Sequence, residues 1–309
     1  LLRSQQAGLL LVILLLGVVL AVTAGSHVDQ QTGAVVNNFY NLHTLLQTAT
    51  DASFFAIMAV GATVVIISGG IDLSVGSIYA LAGVTMAMVL RRLGPPEDGS
   101  AGTVLVGLAV ALGVGLLCGA LNGLLVVFLR VHPFVITLGT MWILRGIAFV
   151  ASRAESILVP QALTGAAKAS LGVGASLYPV PMLTMLGVAL LGSLYLTRTV
   201  MGRHVFAFGG NPEASRFSGL RLDRIQASVF VISGLCAGLA AFMGASFYGS
   251  ASCADATGYE LYVIASAVVG GASLSGGKGS AVSAMLGALL IVLIRQSIRT
   301  LRFDQNYEW

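Results

Sequence analysis

The stretch "ISGGIDLSVGS", Ile67–Ser77, decides how this chain folds. It lies in a run from Ala52 to Leu90 in which Asp72 is the only charged residue. At about 1.5 Å per residue, one helix over the whole run would be about 58 Å long, nearly twice the hydrocarbon thickness of about 30 Å. The chain must therefore turn inside the run, and residues 68–70, Ser-Gly-Gly, have the backbone freedom to do so.

The carboxylate that follows this turn, Asp72, has two possible roles. Asp72 or Ser74 can cap the next helix by accepting hydrogen bonds from its free N–H groups. Asp72 can instead serve as a pathway or gate residue, because ionisable groups inside membranes commonly mark functional sites. The sequence favours the cap and leaves the second role open.

The composition indicates a membrane protein. Hydrophobic residues make up 57% of the chain and charged residues 9%, whereas a soluble domain is usually about 25% charged. The apolar runs are continuous, which favours helices over the alternating segments of a membrane β-barrel. The three cysteines are scattered and predict neither a disulfide framework nor a metal site. We therefore predict an all-α polytopic membrane protein.

Nine segments are long and apolar enough to be predicted as spans. The eighth is short and glycine-rich, which is typical of a broken or re-entrant segment. Small residues at helical spacing in the fourth and seventh predict close helix–helix approach. The segments are approximately 7–24, 52–68, 71–90, 102–129, 134–151, 180–197, 227–248, 259–274 and 279–294.

Residues 37–51 predict an amphipathic helix before the second span. His43, Gln47 and Asp51 fall at helical spacing, with apolar residues between them. This pattern is typical of an amphipathic helix lying at the membrane interface.

Two glycine-rich segments share a pattern. Residues 69–76 and 270–277 both read G-G-x-x-L-S-x-G, and each follows an apolar segment. Paired glycine-interrupted segments are typical of transporters with internal repeats around a central pathway. We therefore predict an internal repeat, and Ser273 and Ser275 join Asp72 and Ser74 as candidate pathway or gate residues.

Asn122 and Arg145 are further candidates inside predicted spans. Asn122 can bond across helices, which the sequence favours, or line a pathway. Arg145 lies about 9 Å from the end of its span, so it can face the bundle interior or extend its long side chain to the interface. A pair between Arg145 and Asp72 is not expected, because the predicted spans put them at opposite membrane ends.

The connection 198–226 carries five arginines, and such a positive excess predicts the cytoplasmic side. Within it, Asn211 suits an N-cap, Pro212 the first helical position and Glu213 the first turn, while Gly219 can end the helix in a left-handed conformation. An isolated helix of about seven residues is unstable in water. The helix must therefore dock, either on the chain's own spans or on a cytoplasmic partner.

Glu213-Ala214-Ser215-x-x-x-Gly219 resembles the E-A-A-x-x-x-G coupling motif of ABC importer permeases, with Ser215 in place of the second Ala. With "SGGIDLSVGS", "GRHVFAFGGNPEASRFSGL" and "GYELYVIASAVVGGASLSGGKG", the chain from about Phe39 onward resembles the permease subunits of ribose-type sugar ABC importers. This family is also described as carbohydrate uptake transporter 2 or branched-chain-type inner-membrane translocators.

The resemblance implies a multi-pass permease of the bacterial inner membrane, with ten spans when complete. Residues 1–309 would form a single transmembrane permease domain, and 198–226 the cytoplasmic coupling loop within it. The resemblance implies that an ATPase contacts this loop at Asn211, Pro212, Glu213, Ala214, Ser215, Arg216 and Gly219.

The resemblance also implies the partners and the process. They are a cytoplasmic ABC ATP-binding protein, an extracytoplasmic solute-binding protein, a second permease copy or paralogue, and the lipid bilayer, with no nucleic acid. A monosaccharide or similar small polar solute would enter the cytoplasm by alternating access. This chain would hold no catalytic residue, metal or cofactor, since ATP and Mg²⁺ would bind the partner. In agreement, "SLSGGKGS" is not a phosphate-binding loop, because Ala272 and Gly279 replace its first Gly and its hydroxyl residue.

Two alternatives remain open from the sequence. An ion-coupled secondary transporter would need an intramembrane carboxylate, for which Asp72 is the candidate. An ABC permease for branched-chain amino acids is the nearest relative of the sugar permeases. A membrane-embedded enzyme is not favoured, because the sequence holds no HExxH motif and no catalytic pair at suitable spacing.

Overall fold

The structure, a computed structural model, describes residues 4–28, 33, 35–94, 100–170 and 178–300. Helices dominate these residues, and strands β1 with β2 and β3 with β4 form two short antiparallel pairs. The elements are α1 (Ser4–Thr23), β1 (Ser26–Val28), β2 (Val35–Asn37), α2 (Leu42–Ile67), α3 (Val75–Leu93), α4 (Ala101–Leu129), α5 (Pro133–Ser152), β3 (Ile157–Leu158), α6 (Gln161–Ala167), α7 (Val180–Arg198), α8 (Val200–Gly210), α9 (Pro212–Phe217), α10 (Leu222–Tyr248), β4 (Ser250–Ala251), α11 (Tyr259–Val269) and α12 (Ala281–Thr300).

Seven helices of the described part are long and apolar enough to cross a membrane, namely α1, α2, α4, α5, α7, α10 and α12. They match seven of the nine predicted spans, so the all-α polytopic class is confirmed. The predicted span 71–90 corresponds to α3, and 259–274 to α11, which has 11 residues. At about 1.5 Å per residue, α11 covers about half the hydrocarbon thickness. The number of spans stays a prediction.

Helix α2 lies at the centre of the bundle. It packs against α7, α10, α11 and α12, and nearly every residue from Ala52 to Ile67 is buried. Its apolar residues surround the whole helix, which is the pattern of a helix buried on all sides. The outer helices α1, α4, α5 and α7 instead expose many leucines and valines, as lipid-facing helices do.

The helix predicted in residues 37–51 is present from Leu42 onward, but it is continuous with the second span instead of preceding it. Residues 42–51 form the first turns of α2, and the Asn41 side chain caps them by accepting a hydrogen bond from the Thr44 N–H at 2.8 Å. Thr48 and Thr50 are buried. Because their burial continues the packing of the span without a break, α2 runs straight through the predicted boundary.

The turn predicted at 68–70 is confirmed. Gly69 has a φ of 82°, a left-handed conformation that glycine adopts without strain. The Gly69 N–H donates to Ile66 O at 2.9 Å and the Gly70 N–H to Val65 O at 3.1 Å. This pair of bonds is the Schellman motif that ends many helices.

Helix α11 ends in the same motif, one residue out of register with the sequence pattern. Gly271 has a φ of 93° and donates to Val268 O at 2.8 Å, while Ala272 donates to Ala267 O at 2.9 Å. Structurally, Gly69 therefore corresponds to Gly271, whereas the shared pattern aligns it with Gly270. The two turns are alike, but the residues after them do not correspond as aligned, and the internal repeat stays a prediction.

The close helix approach predicted from small residues is present between α4 and α10. A Cβ atom at Gly115 would overlap the Gly234 carbonyl oxygen, and one at Gly119 would overlap the Phe230 carbonyl oxygen. Backbone therefore packs on backbone along this pair. Such approach is available only to residues without a side chain.

Gly115→Ala should destabilise the protein by about 1–3 kcal/mol, because the added methyl group forces α4 and α10 apart. The thermal unfolding midpoint of the purified protein in detergent measures this. Gly113→Ala on the same helix is the control, since its Cβ would meet no atom within 4 Å. Equal midpoints for the two variants would contradict the predicted close packing.

Candidate functional site

A buried hydrogen-bond network surrounds Asp72, which is 2% exposed. Its Oδ1 accepts from the Ser74 N–H at 2.9 Å and from the Ser74 hydroxyl at 2.6 Å, and its Oδ2 accepts from the Ser233 hydroxyl at 2.8 Å. Asn122 Nδ2 donates to Ser74 Oγ at 2.7 Å. The network joins the segment before α3 to α4 and α10.

The predicted cap differs in detail from what the structure has. Ser74 is the N-cap residue of α3, but its side chain makes no capping bond. Asp72 accepts the Ser74 N–H rather than an N–H of the helix itself, and its other carboxylate oxygen accepts from Ser233 of α10. The side chain of Asp72 therefore fixes the approach to α3 instead of capping it.

Helix α5 holds the same segment from another side. Thr137 Oγ1 donates to Ile71 O at 3.1 Å and accepts from the Leu73 N–H at 3.2 Å. With Asp72 bound to α10 and Ser74 bound to α4, three helices fix residues 71–74. Backbone groups that are not part of a helix thereby find partners inside the bundle, as membrane interiors require.

Arg145 binds backbone carbonyls instead of extending to the interface. Its Nη1 donates to Cys253 O at 2.7 Å and to Asp255 O at 2.6 Å, and its Nη2 donates to Ala256 O at 3.4 Å. The guanidinium thus fixes the turn between α10 and α11. In this turn, burial raises the pKa of the Asp255 carboxyl, while a hydrogen bond from the Ser252 N–H and the nearby Arg145 oppose the rise.

The structure brings Arg145 close to the start of α3, while the placement of Asp72 and Arg145 relative to the membrane ends stays a prediction. A Cβ atom at Gly76, four residues after Asp72, would lie 3.5 Å from Arg145 Nη2 and 2.7 Å from Glu260 Oε2. Asp72 and Arg145 nevertheless bind different groups and do not pair.

The predicted helix in the connection is α9, and its local structure agrees with the sequence. Asn211 Oδ1 accepts from the Ala214 N–H at 2.9 Å, and Pro212 opens the helix with Glu213 in its first turn. Gly219 ends it with a φ of 79°, in a third Schellman motif. The contact of this segment with an ATPase stays a prediction.

Helix α9 projects from the body of the protein. Ser215 is its buried residue, whereas Glu213, Ala214 and Arg216 are exposed and Phe217 is 90% exposed. An open cleft of about 530 Å³ lies beside it, lined in part by Arg130 of the α4–α5 connection. The helix is thus held through one face, and its other faces remain available to a partner.

The six candidate pathway residues do not form one site. Asp72, Ser74 and Asn122 share the buried network, and Arg145 lies at the turn after α10. Ser273 and Ser275 lie in the loop 270–280, where the Ser273 N–H donates to Lys278 O at 3.0 Å and Ser275 is exposed. Their role in a pathway stays a prediction, and the burial of the first three favours a structural role.

Three residues that take part in these contacts or surfaces were not among the residues predicted from the sequence. Ser233 binds Asp72 from α10, 161 positions along the chain. Glu260 has a buried Oε2 without a hydrogen-bond partner among the described residues, close to Gly76. Phe217 is an exposed aromatic residue on α9. Only Phe217 carried a local signal, as the one large apolar side chain of α9.

The sequence of this chain matches those of known proteins. The family described as branched-chain amino acid transport system / permease component matches residues 44–307. The match includes the Asp72 network, the turn bound by Arg145 and helix α9.

Three individual relatives are similar over most of the chain. The ribose import permease protein of Escherichia coli K12 is 36% identical over 273 residues, covering 88% of this chain and 82% of the relative. The D-allose transport system permease protein of the same strain is 37% identical, covering 87% and 80%. The autoinducer 2 import system permease protein of Yersinia enterocolitica is 34% identical, covering 87% and 72%.

Asp72→Ala should lower the free energy of unfolding by about 1–3 kcal/mol, because it leaves the buried hydroxyls of Ser74 and Ser233 without their acceptor. Asp72→Asn keeps one acceptor oxygen and should cost less. Thermal unfolding in detergent measures both, with Glu155→Ala at an exposed acid as the control. If Asp72→Ala unfolds at the wild-type temperature, the network does not support the fold.

Proposed function

The chain belongs to the family of permease components of branched-chain amino acid transport systems, and from that membership we propose that it imports a monosaccharide or similar small polar solute. It is a multi-pass permease of the bacterial inner membrane. The relatives support a sugar as the solute, because they are named for ribose, allose and autoinducer 2. The family description leaves a branched-chain amino acid as the second candidate.

The exposure of helix α9 is the observation that best supports the proposed mechanism. Its caps make it a defined helix although it has six residues, and only Ser215 is buried against the body. Exposed aromatic and charged residues on a fixed short helix suit a protein partner. We take that partner to be a cytoplasmic ABC ATP-binding protein, which binds and hydrolyses ATP with Mg²⁺.

Transport would then proceed by alternating access. The ATP-binding subunits close on ATP, displace α9 and reorient the helices connected to it. An extracytoplasmic binding protein would deliver the solute, and a second permease copy or paralogue would complete the pathway. In this proposal the present chain moves the solute, and the cofactors bind to the ATP-binding partner.

An ion-coupled secondary transporter is less well supported. It would use Asp72 as the coupling carboxylate, but Asp72 already accepts three hydrogen bonds and is buried among α3, α4 and α10. A carboxylate that binds and releases an ion at each cycle needs access to water from both sides of the membrane. The bonds to Ser74 and Ser233 instead suit a fixed structural role.

Glu213→Arg should lower ATP-dependent uptake by about a hundredfold, because it reverses the charge that α9 presents to the ATP-binding protein. Uptake by proteoliposomes that contain the whole complex measures this. The variant should fold normally, since Glu213 is exposed.

Glu155→Arg is the matched control, because it makes the same charge reversal at an exposed acid after α5, outside the connection 198–226. Its uptake should equal that of the wild type. Normal uptake by Glu213→Arg in an assembled complex would remove the proposed role of α9.

Phe217→Ala should weaken binding of the ATP-binding protein by about 30-fold, the effect of losing an aromatic residue at the centre of an interface. Phe149→Ala on α5 is the control, at an aromatic residue that is 55% exposed and distant in sequence from α9. Titration of the purified permease with the purified ATP-binding protein gives both affinities. Unchanged binding by Phe217→Ala would place the interface elsewhere.

A further inference from the structure

Three segments meet beside the start of α9. They are the end of α8, the end of α2, and the loop 270–280 between α11 and α12. We call this contact the glycine junction and define it as Gly209, Gly276, Gly277 and the carbonyl group of Ile67. All four lie outside the Asp72 network described above.

Backbone touches backbone at this junction. The Gly277 N–H donates to Ile67 O at 2.8 Å. A Cβ atom at Gly209 would overlap that same carbonyl oxygen and would lie 2.8 Å from Gly277 N. A Cβ at Gly276 would lie 2.5 Å from Gly209 O. At these four groups the three segments therefore touch through backbone alone, and no side chain there can rotate to absorb a displacement.

The junction directly precedes α9. Helix α8 ends at Gly210, Asn211 caps α9, and α9 begins at Pro212. A shift of α9 is thus transmitted within two residues to Gly209, because the backbone between them is short and hydrogen-bonded.

The helix that follows α9 holds the same turn from another side. Helix α10 carries Ser233, whose hydroxyl donates to Asp72 at 2.8 Å. Asp72 lies five residues after Ile67, in the connection from α2 to α3. Helices α8 and α10, which flank α9, therefore both contact the short connection from α2 to α3. This connection begins where the central helix α2 ends.

We infer that the glycine junction is the contact through which α9 moves the core of the permease. Displacement of α9 shifts Gly209, and Gly209 pushes directly on the Ile67 carbonyl and on the loop 270–280. Because this loop leads into α12, α2 and α12 move together. This inference rests on the proposed function, since it assumes that an ATP-binding protein displaces α9.

From this contact we assign Gly209 the role of a positioning residue. It touches no solute and no nucleotide, so its substitution should change the transport obtained per ATP and leave hydrolysis itself in place. A residue with a merely structural role would instead lower both quantities with the amount of folded protein.

Gly209→Ala and Gly210→Ala are a matched pair for the test. A Cβ at Gly210 would meet no atom within 4 Å, although the two glycines are neighbours in α8. The whole complex is reconstituted in proteoliposomes, and solute uptake and ATP hydrolysis are measured together. We expect uptake per ATP to fall by about tenfold in Gly209→Ala, within the usual range of coupling between sites, and to be unchanged in Gly210→Ala.

Equal uptake per ATP in Gly209→Ala and the wild type would overturn the inference. An equal loss in both variants would overturn it as well, because the effect would then belong to α8 as a whole. A wild-type complex without ATP-dependent uptake would refute the proposed function itself, which separates the two failures.

A second pair decides the question if Gly209→Ala fails to assemble. A Cβ at Gly279 would lie 2.7 Å from Ile67 Cγ1, so Gly279→Ala strains the contact between the loop 270–280 and the end of α2 beside the junction, through a side chain that can be removed. Uptake per ATP should fall in Gly279→Ala and recover when Ile67→Ala is added. Failure of the double variant to recover, or no loss in Gly279→Ala, would overturn the inference.

Discussion

A carboxylate inside a membrane protein must have its lone pairs satisfied by the chain, because lipid offers no donors and an unpaired charge there is costly. Asp72 meets this constraint with three hydrogen bonds from Ser74 and Ser233. Asn122 and Thr137 then bind the same segment. The carboxylate and the free backbone groups beside it thus bind α4, α5 and α10 to the connection between α2 and α3, which follows directly on the central helix.

The same connection has a second anchor at its start. Ile67 O accepts from Gly277 N, and Gly209 lies against it from α8. The chain around α9 is therefore built in two parts, an exposed helix held by few contacts and a flanking framework held by many. A partner that binds and displaces α9 therefore moves the flanking framework as one body. Within α9, Ser215 is buried against the framework, whereas Phe217 is exposed.

Features that depend on neighbouring residues could be predicted from the sequence. The turn at 68–70 follows from run length and glycine chemistry, and the caps at Asn211 and Gly219 follow from residue preferences. Features that depend on distant residues could not. Nothing near Ser233 indicates that it binds Asp72, and Arg145 offered two directions until the turn at 253–256 supplied its acceptors.

Glycine illustrates the same limit. Gly113 and Gly115 lie on one helix and Gly209 and Gly210 on another, and sequence alone does not separate the members of either pair. Gly113 and Gly210 face open space, whereas Gly115 and Gly209 each face a carbonyl oxygen. The difference arises from the helix or turn that packs opposite, which is set by the whole fold. A glycine in this protein therefore marks where a close contact is allowed, and the opposing backbone determines where it is required.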